Sequence, residues 1–273
     1  MHYLSFTWNP SEGIDLGFFL IRYYSLMFVV AFSLGWFITK RIFINENLSL
    51  EKLDSLFIYM VIAILLGARL GHVIFYQSDL ILKDPISVLL PFRTVPEFEY
   101  TGFQGLASHG AAIGVIIAMF IYSKKVLKKP VLWILDRVVI AVASGAIFVR
   151  IGNFINSEII GKATKSDFGV IFKQLGEDFP RHPAQLYESF GYIFVFIALW
   201  FVYWKTEKKN QRGFLFGLFL VLLFTVRFFV EFVKEAQVDE RAEWALNTGQ
   251  LLSIPLVITG LYFIITSSKK LQA

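Results

Sequence analysis

One run of the chain, Gly145-Ala-Ile-Phe-Val-Arg150-Ile-Gly-Asn153-Phe-Ile-Asn156-Ser-Glu158-Ile-Ile-Gly161, leaves an apolar segment of membrane length and then presents a cation, two amides, a carboxylate and closely spaced glycines. Such groups are costly in or beside hydrocarbon, so a membrane protein keeps them where they line a cavity or meet a ligand. The run is read as the floor of a polar site at a membrane face.

Other groups with chemistry lie inside apolar runs. Arg227 and Glu231 are four residues apart, so they share a helix face and can pair along it. The pair either satisfies itself or holds a guanidinium ready for a phosphate, whose geometry suits that fork of donors. Arg69, between Gly67 and Gly71, needs neutralising by an anionic ligand or by Glu231, while the glycines around it also suit close helix packing. Tyr24 needs a partner for its hydroxyl, and Arg22 next to it reads as an anchor in an aromatic belt. His109, in Ala107-Ser-His-Gly110, is either a hydrogen-bonded residue at a helix start or, by its titration range, a proton acceptor.

The elements that must position these groups follow from composition. The 273 residues are 56% hydrophobic with 30 phenylalanines, which points to lipid as the solvent. Spans are expected at 18–38, 55–75, 106–122, 131–149, 189–204, 213–233 and 249–266, the shorter ones extended, kinked or shielded. The first apolar run precedes its positive charges, Lys40 and Arg41, and is expected to be kept as a span and not removed as a signal peptide. The fold class is therefore an all-α polytopic membrane protein, with 1–273 as a single transmembrane domain.

Half of the 26 lysines and arginines fall after spans 1, 3 and 5 or in the tail: Lys40, Arg41, Lys52, Lys124, Lys125, Lys128, Lys129, Lys205, Lys208, Lys209, Arg212, Lys269 and Lys270. The positive-inside rule makes that side cytoplasmic, with the N-terminus outside and the C-terminus inside. Asp79, Asp84, Glu97, Glu99, Glu235, Asp239, Glu240 and Glu243 then make the outer face the more acidic one. Arg22, Tyr24, Arg69, His109, Arg150, Arg227 and Glu231 share one depth near that face, which implies a net cationic cavity there. Asp136 and Arg137, nearer the inner face, read as interfacial or structural. Residues 162–188, too polar to span, are expected to form a small extracytoplasmic head ending in a proline-started helix, with Glu188 favouring its dipole or serving the site.

Several classes are set aside. Cysteine is absent, so thiol chemistry would need a thiol from the substrate. His2, His72, His109 and His182 show no metal-ligand spacing, Ser108 has no nucleophile-elbow context, and no nucleotide loop occurs. The net charge of +5 is topogenic in its distribution, which argues against nucleic acid. A secondary transporter for an anionic or amphiphilic solute also buries charge, but it commonly shows paired halves and a midplane site. A seven-span structural or receptor-like protein would need no reactive cluster.

The run Arg150-Ile-Gly-Asn-Phe-Ile-Asn-Ser-Glu158 with Gly161 resembles the signature of bacterial prolipoprotein diacylglyceryl transferases. The likeness extends in order through Ile21-Arg-Tyr-Tyr24-Ser-Leu-Met27, Gly67-Ala-Arg-Leu-Gly71, Ser108-His-Gly110, Arg181-His-Pro-Ala-Gln-Leu-Tyr-Glu188, Arg227-Phe-Phe-Val-Glu231 and Thr248-Gly-Gln-Leu-Leu-Ser-Ile-Pro255. Val149 departs from the glycine usual before the arginine, and Ala111-Ala112 from the usual Gly-Leu. Both departures bear on backbone packing more than on chemistry.

The resemblance implies a bacterial plasma (inner) membrane enzyme with its site toward the extracytoplasmic face. It would move the diacylglyceryl group of phosphatidylglycerol onto the lipobox cysteine of a prolipoprotein signal peptide, forming a thioether and releasing glycerol phosphate without a cofactor. On that expectation Arg150 and Arg227 meet the phosphate, Asn153 and Asn156 orient the glycerol head, Glu231 positions Arg227, Tyr24 hydrogen-bonds in the cavity and His109 is the base candidate. Arg69, Gly110, Glu158 and Gly161 are expected to line the substrate site.

Overall fold

The computed structural model describes residues 5–18, 20–90, 92–100, 105–165, 168–235 and 246–267. His2, Asp239, Glu240, Glu243, Lys269 and Lys270 lie outside the described residues. Apolar runs become helices because a helix satisfies its own backbone groups, which lipid cannot do. The long helices are α1 (Tyr23–Asn45), α2 (Leu50–Tyr76), α5 (Ser108–Tyr122), α6 (Val131–Ile155), α7 (Ala184–Lys205), α8 (Phe214–Val230) and α9 (Thr248–Ser267), with short α3 (Leu80–Lys83) and α4 (Pro85–Leu89) between α2 and α5. A π-helical turn, Ser123–Leu127, extends α5.

Six of these are long and apolar enough to cross a membrane: 23–45, 50–76, 109–127, 131–155, 184–205 and 248–267. Helix α8, at 17 residues, is shorter than that. The first helix begins later than the expected position 18, because Gly13–Asp15 (β2) and Leu20–Arg22 (β3) pair as an antiparallel hairpin through Gly17, whose φ is +84°. Arg22 therefore sits in a strand, 3.8 Å from Glu12 and exposed, and not inside a span. Two further pairings are Phe6–Trp8 (β1) parallel to Val170–Phe172 (β6), and Phe92–Arg93 (β4) antiparallel to Glu99–Tyr100 (β5).

The chain divides into two compact units, 1–42 with 135–273, and 43–134. In the first, Ile42, Ile140, Ala143 and Ile147 pack with Tyr192, Leu199 and Tyr203 of α7 and with Leu215 and Phe219 of α8. The start of α8 is held by Asp136, whose carboxylate accepts from the amides of Gly213 (2.7 Å) and Phe216 (2.9 Å). Orphan amides at a helix start and a buried carboxylate thus satisfy each other, which is the structural role foreseen for Asp136. In the second unit α2 and α5 pack closely. A Cβ on Gly110 would lie 2.3 Å from the carbonyl oxygen of Gly67, and one on Gly114 2.4 Å from that of Ala63. Small residues at this spacing let two backbones approach.

Candidate active site

The site begins where α6 ends. Amides that can no longer be paired within the helix turn back on it: Ser157 N–H donates to Phe154 (3.1 Å) and Glu158 N–H to Asn153 (2.9 Å). Ser157 and Ile159 take φ values of +54° and +56°, so Glu158 stands between two left-handed residues. That conformation is unfavourable for a β-branched residue and is held only where surrounding contacts fix it. The indole of Trp8 supplies one such contact, donating to the carbonyl of Phe154 at 3.1 Å. Ser157 supplies another through Gln174 (2.9 Å), whose amide reaches the carbonyl of Pro10 (2.7 Å).

Three of the signature side chains then converge on Glu158 or its neighbour. Arg150 Nη1 donates to Asn153 Oδ1 at 3.1 Å, Asn153 Nδ2 donates to Glu158 Oε2 at 3.2 Å, and Asn156 Nδ2 donates to Glu158 Oε1 at 3.0 Å. Asn153 is buried, and the hydroxyl of Tyr24 also bonds to it. Gln185 on α7 donates to the carbonyl of Glu158. The carboxylate is thereby fixed by amides just beyond the end of α6, and Asn153 links it to Arg150.

Behind Arg150 lies a line of charges that are almost wholly inside the unit. Arg150 Nε is 2.7 Å from Glu188 Oε2, an ion contact outside hydrogen-bond alignment. Glu188 Oε1 accepts from Lys234 Nζ at 2.8 Å, and Lys234 donates equally to Glu231 Oε1 at 2.8 Å. Arg227 Nε lies 3.6 Å from the same Glu231 oxygen. Glu188 is 0% and Lys234 3% exposed, so water screens these contacts little. Within this unit the ion contacts join Arg150, Arg227 and Lys234 to Glu188 and Glu231, while Glu158 accepts from the amides of Asn153 and Asn156. Buried charge survives only when paired, which is why each cation here has a carboxylate within reach.

Glu188 thus makes an ion contact within the unit; Lys234 is absent from the sequence expectations, and the buried Gln185 enters them only as part of the Arg181–Glu188 block. Lys234 follows Glu231 by three residues just beyond an apolar run, and Gln185 and Glu188 are three apart on one helix face. Those spacings were the available signal. Gly161 is set by packing: a Cβ there would lie 2.4 Å from the carbonyl oxygen of His182 and 2.9 Å from that of Val233. Arg181 is engaged by Glu177 and by Glu235 (2.6 Å) and donates to the carbonyl of Gly161 (3.1 Å), which ties Gly161 and Arg181 to Glu235 in the segment after α8.

Arg69, His109 and Gly110 belong to the second unit. Arg69 donates to the carbonyls of Val88 (3.0 Å), Ser87 (2.5 Å) and Gly105 (3.5 Å), so backbone oxygens meet its guanidinium. It holds α4 against α2 and lines a cavity of about 780 Å³ with His72, Tyr76, Gln77, Lys83 and Arg93. Asp84, beside it, accepts from Ser87, from Thr94 N–H (2.7 Å) and hydroxyl (2.6 Å), and from Val95 N–H (3.3 Å). The bonds from Ser87 and then Thr94 hold its carboxyl well below the usual carboxylate range. His109 is exposed in the first turn of α5, edge-on to Phe75 (5.0 Å) and tilted against Tyr76 (5.8 Å). Gly110 is at the α2–α5 contact already described.

Comparison with known proteins gives a consistent result. The family model for prolipoprotein diacylglyceryl transferase matches residues 12–266. The chain is similar to a phosphatidylglycerol–prolipoprotein diacylglyceryl transferase of Bacteroides fragilis, 41% identical over 98% of this chain and 97% of the relative. It is similar also to the proteins of that name in Tolumonas auensis, 38% identical over 96% of this chain and 98% of the relative, and in Chloroherpeton thalassium, 37% over 97% and 95%.

Proposed function

The chain belongs to the prolipoprotein diacylglyceryl transferase family, and from that premise we propose that it transfers the diacylglyceryl group of phosphatidylglycerol to the lipobox cysteine thiol of a prolipoprotein. The observation that carries the chemistry is the placing of Arg150 and Arg227 in one ion cluster around the buried Glu188 and Lys234, each beside a glutamate.

In this reading the substrate's sulfur forms a bond to the terminal glyceryl carbon as the bond from that carbon to the phosphate oxygen breaks. The thiol proton is lost, and glycerol phosphate leaves with the bonding pair. An unperturbed thiol titrates near about 8.5, so a proton acceptor or a cationic field helps the attack. Negative charge grows on the departing phosphate, and preorganised guanidiniums stabilise it without reorganising. Arg150 and Arg227 meet that phosphate. Asn153 and Asn156, oriented by Glu158, face the glycerol head, and Tyr24 adds a hydroxyl through Asn153. Glu231 positions Arg227, and His109 is the base candidate. Arg69 shapes the wall of its own unit, Gly110 permits the close approach of α2 and α5 there, and Gly161 permits that of the His182 and Val233 backbones in the other unit.

The same reading makes α8 a seventh span, with the N-terminus outside, the C-terminus cytoplasmic and the reaction at the extracytoplasmic face of the plasma (inner) membrane. Lys40, Arg41, Lys124, Lys125, Lys205 and Lys208, at alternate connections, support it. Residues 1–273 act as one transmembrane domain carrying the 162–188 head.

The test uses membranes containing each variant, labelled phosphatidylglycerol and a lipobox peptide. Arg150→Ala and Arg227→Ala are each expected to lose transfer by about 100-fold or more. Near-normal turnover in both would remove the phosphate assignment, and no label on the peptide with the unaltered protein would remove the function.

A further inference from the structure

Lys234 and Arg227 address the same atom. Both lie on the Oε1 side of Glu231, Lys234 Nζ at 2.8 Å in a hydrogen bond and Arg227 Nε at 3.6 Å, too far for one. Arg227 Nε is buried and has no hydrogen-bond partner among the described residues. An unmade bond on a buried charged donor is costly, so something must keep the nearby carboxylate from closing on it. Lys234 is itself 3% exposed and is held from the other side by Glu188 Oε1, also at 2.8 Å, while the second oxygen of Glu188 faces Arg150. The charges alternate along the line Arg150, Glu188, Lys234, Glu231, Arg227, and Arg227 Nε is a buried donor at its end with no hydrogen-bond partner among the described residues.

We infer that Lys234 is a positioning residue that occupies Glu231 and so keeps the Arg227 guanidinium available to an anionic substrate group. The inference rests on the proposed transfer reaction for its substrate, but its core is a competition between two cations for one carboxylate oxygen. Without the lysine, Glu231 would draw Arg227 into a close pair, and the guanidinium would meet the departing phosphate already spent. Glu188 completes the arrangement by anchoring Lys234 to the element that carries Arg150. Arginine at 234 preserves the cation, whereas methionine preserves the apolar stem and removes it.

Purified protein is assayed for kcat and for KM toward phosphatidylglycerol and lipobox peptide in four variants: Lys234→Met, Lys234→Arg, Glu231→Gln and the double Lys234→Met/Glu231→Gln. Lys234→Met is expected to lower kcat by about 10- to 100-fold with the peptide KM unchanged, as for loss of one preorganised donor. Lys234→Arg should rescue most of it. Because the amide at 231 no longer competes for Arg227, the double variant should match Glu231→Gln alone. A further tenfold loss in the double variant, or full kcat in Lys234→Met, overturns the inference. Should Lys234→Met fail to fold, the comparison of Glu231→Gln with the double variant decides.

A second measurement does not need turnover. Modification of Arg227 by phenylglyoxal, followed by mass spectrometry, is expected to slow in Lys234→Met as Glu231 closes on the guanidinium. Unchanged labelling overturns the inference even if no transfer were seen, whereas absent transfer by the unaltered protein with the expected labelling would overturn only the reaction.

Discussion

Arg150 Nε lies 2.7 Å from Glu188 Oε2, and the glutamate that makes this contact is wholly buried. The two residues come from consecutive long helices, α6 and α7, which 28 positions separate, 156–183. Removing one partner leaves the other as an uncompensated buried charge. Glu188→Ala is therefore expected to cost about 3–5 kcal/mol of stability. A thermal melt of the purified protein checks it, and an unchanged midpoint would mean that water reaches Arg150.

Glu231 is also fixed from the side of α9. A Cβ at position 249 would sit 2.3 Å from Glu231 Cδ and 2.4 Å from its Oε1, which requires the carboxylate to move. Gly249→Ala should thus lower turnover by about tenfold, within the range for a displaced charged contact, while the protein still folds. Kinetics alongside a melting curve separate the two effects, and full activity would show that Glu231 can shift freely.

The Asn153–Glu158 hydrogen bond stabilises a turn in which Ser157 and Ile159 have positive φ. Glu158→Ala removes the acceptor for both Asn153 and Asn156 and should reduce transfer by about 10- to 100-fold. Ile159→Gly relieves the backbone strain and is expected to leave the melting temperature the same or higher. A lower melting temperature in Ile159→Gly would place the importance of that residue in its side chain.

The helix contact at Gly110 leaves no room for a side chain. Gly110→Val would bring a branched Cβ to within 2.3 Å of the Gly67 carbonyl oxygen, an approach that must separate α2 from α5. Overpacking of this kind costs about 1–3 kcal/mol or more. Folded yield and thermal midpoint should both fall, and a neutral result would show that these helices slide apart at little cost.

Asp84 gives a pH dependence with a definite sign. Its carboxyl is held below its ordinary value by Ser87 and Thr94, so its contribution to local stability is complete above the unfolded value near about 4. That contribution is lost only as pH falls through the still lower folded value. Hydrogen exchange of the Ser87, Thr94 and Val95 amides, which bond to it, should therefore keep its protection factors from pH 8 to 5 and lose them in Asp84→Asn. Protection that declines already between pH 7 and 5 would contradict the assignment.

How far the sequence could be read varies with the locality of each feature. The ranges 131–149 and 249–266 correspond to helices at 131–155 and 248–267, since continuous apolar runs report directly on membrane-length helices. The expected start of α1 at position 18 is early because Phe18, Leu20 and Ile21 in the second half of the β2–β3 hairpin are apolar, and hydrophobicity alone does not distinguish an exposed strand from a span. Arg69 reads in the sequence as a guanidinium that an anionic ligand or Glu231 must neutralise. It also donates to the carbonyls of Ser87, Val88 and Gly105, and backbone oxygens carry no mark in a sequence.

Residue type and local spacing alone determined that Arg150, Asn153, Asn156 and Glu158 would fall together, because all lie within nine positions at the end of one helix. They also determined that Arg227 and Glu231 would share a face, because helical periodicity fixes that without any partner. The tertiary structure alone decided that Glu188 and Lys234 join these two groups, and that Arg69 and His109 belong to the other compact unit. The reason is geometric: which carboxylate meets which cation depends on how helices far apart in the chain rotate and approach, and a Coulomb contact decided over a few ångströms leaves no periodic trace in the order of residues.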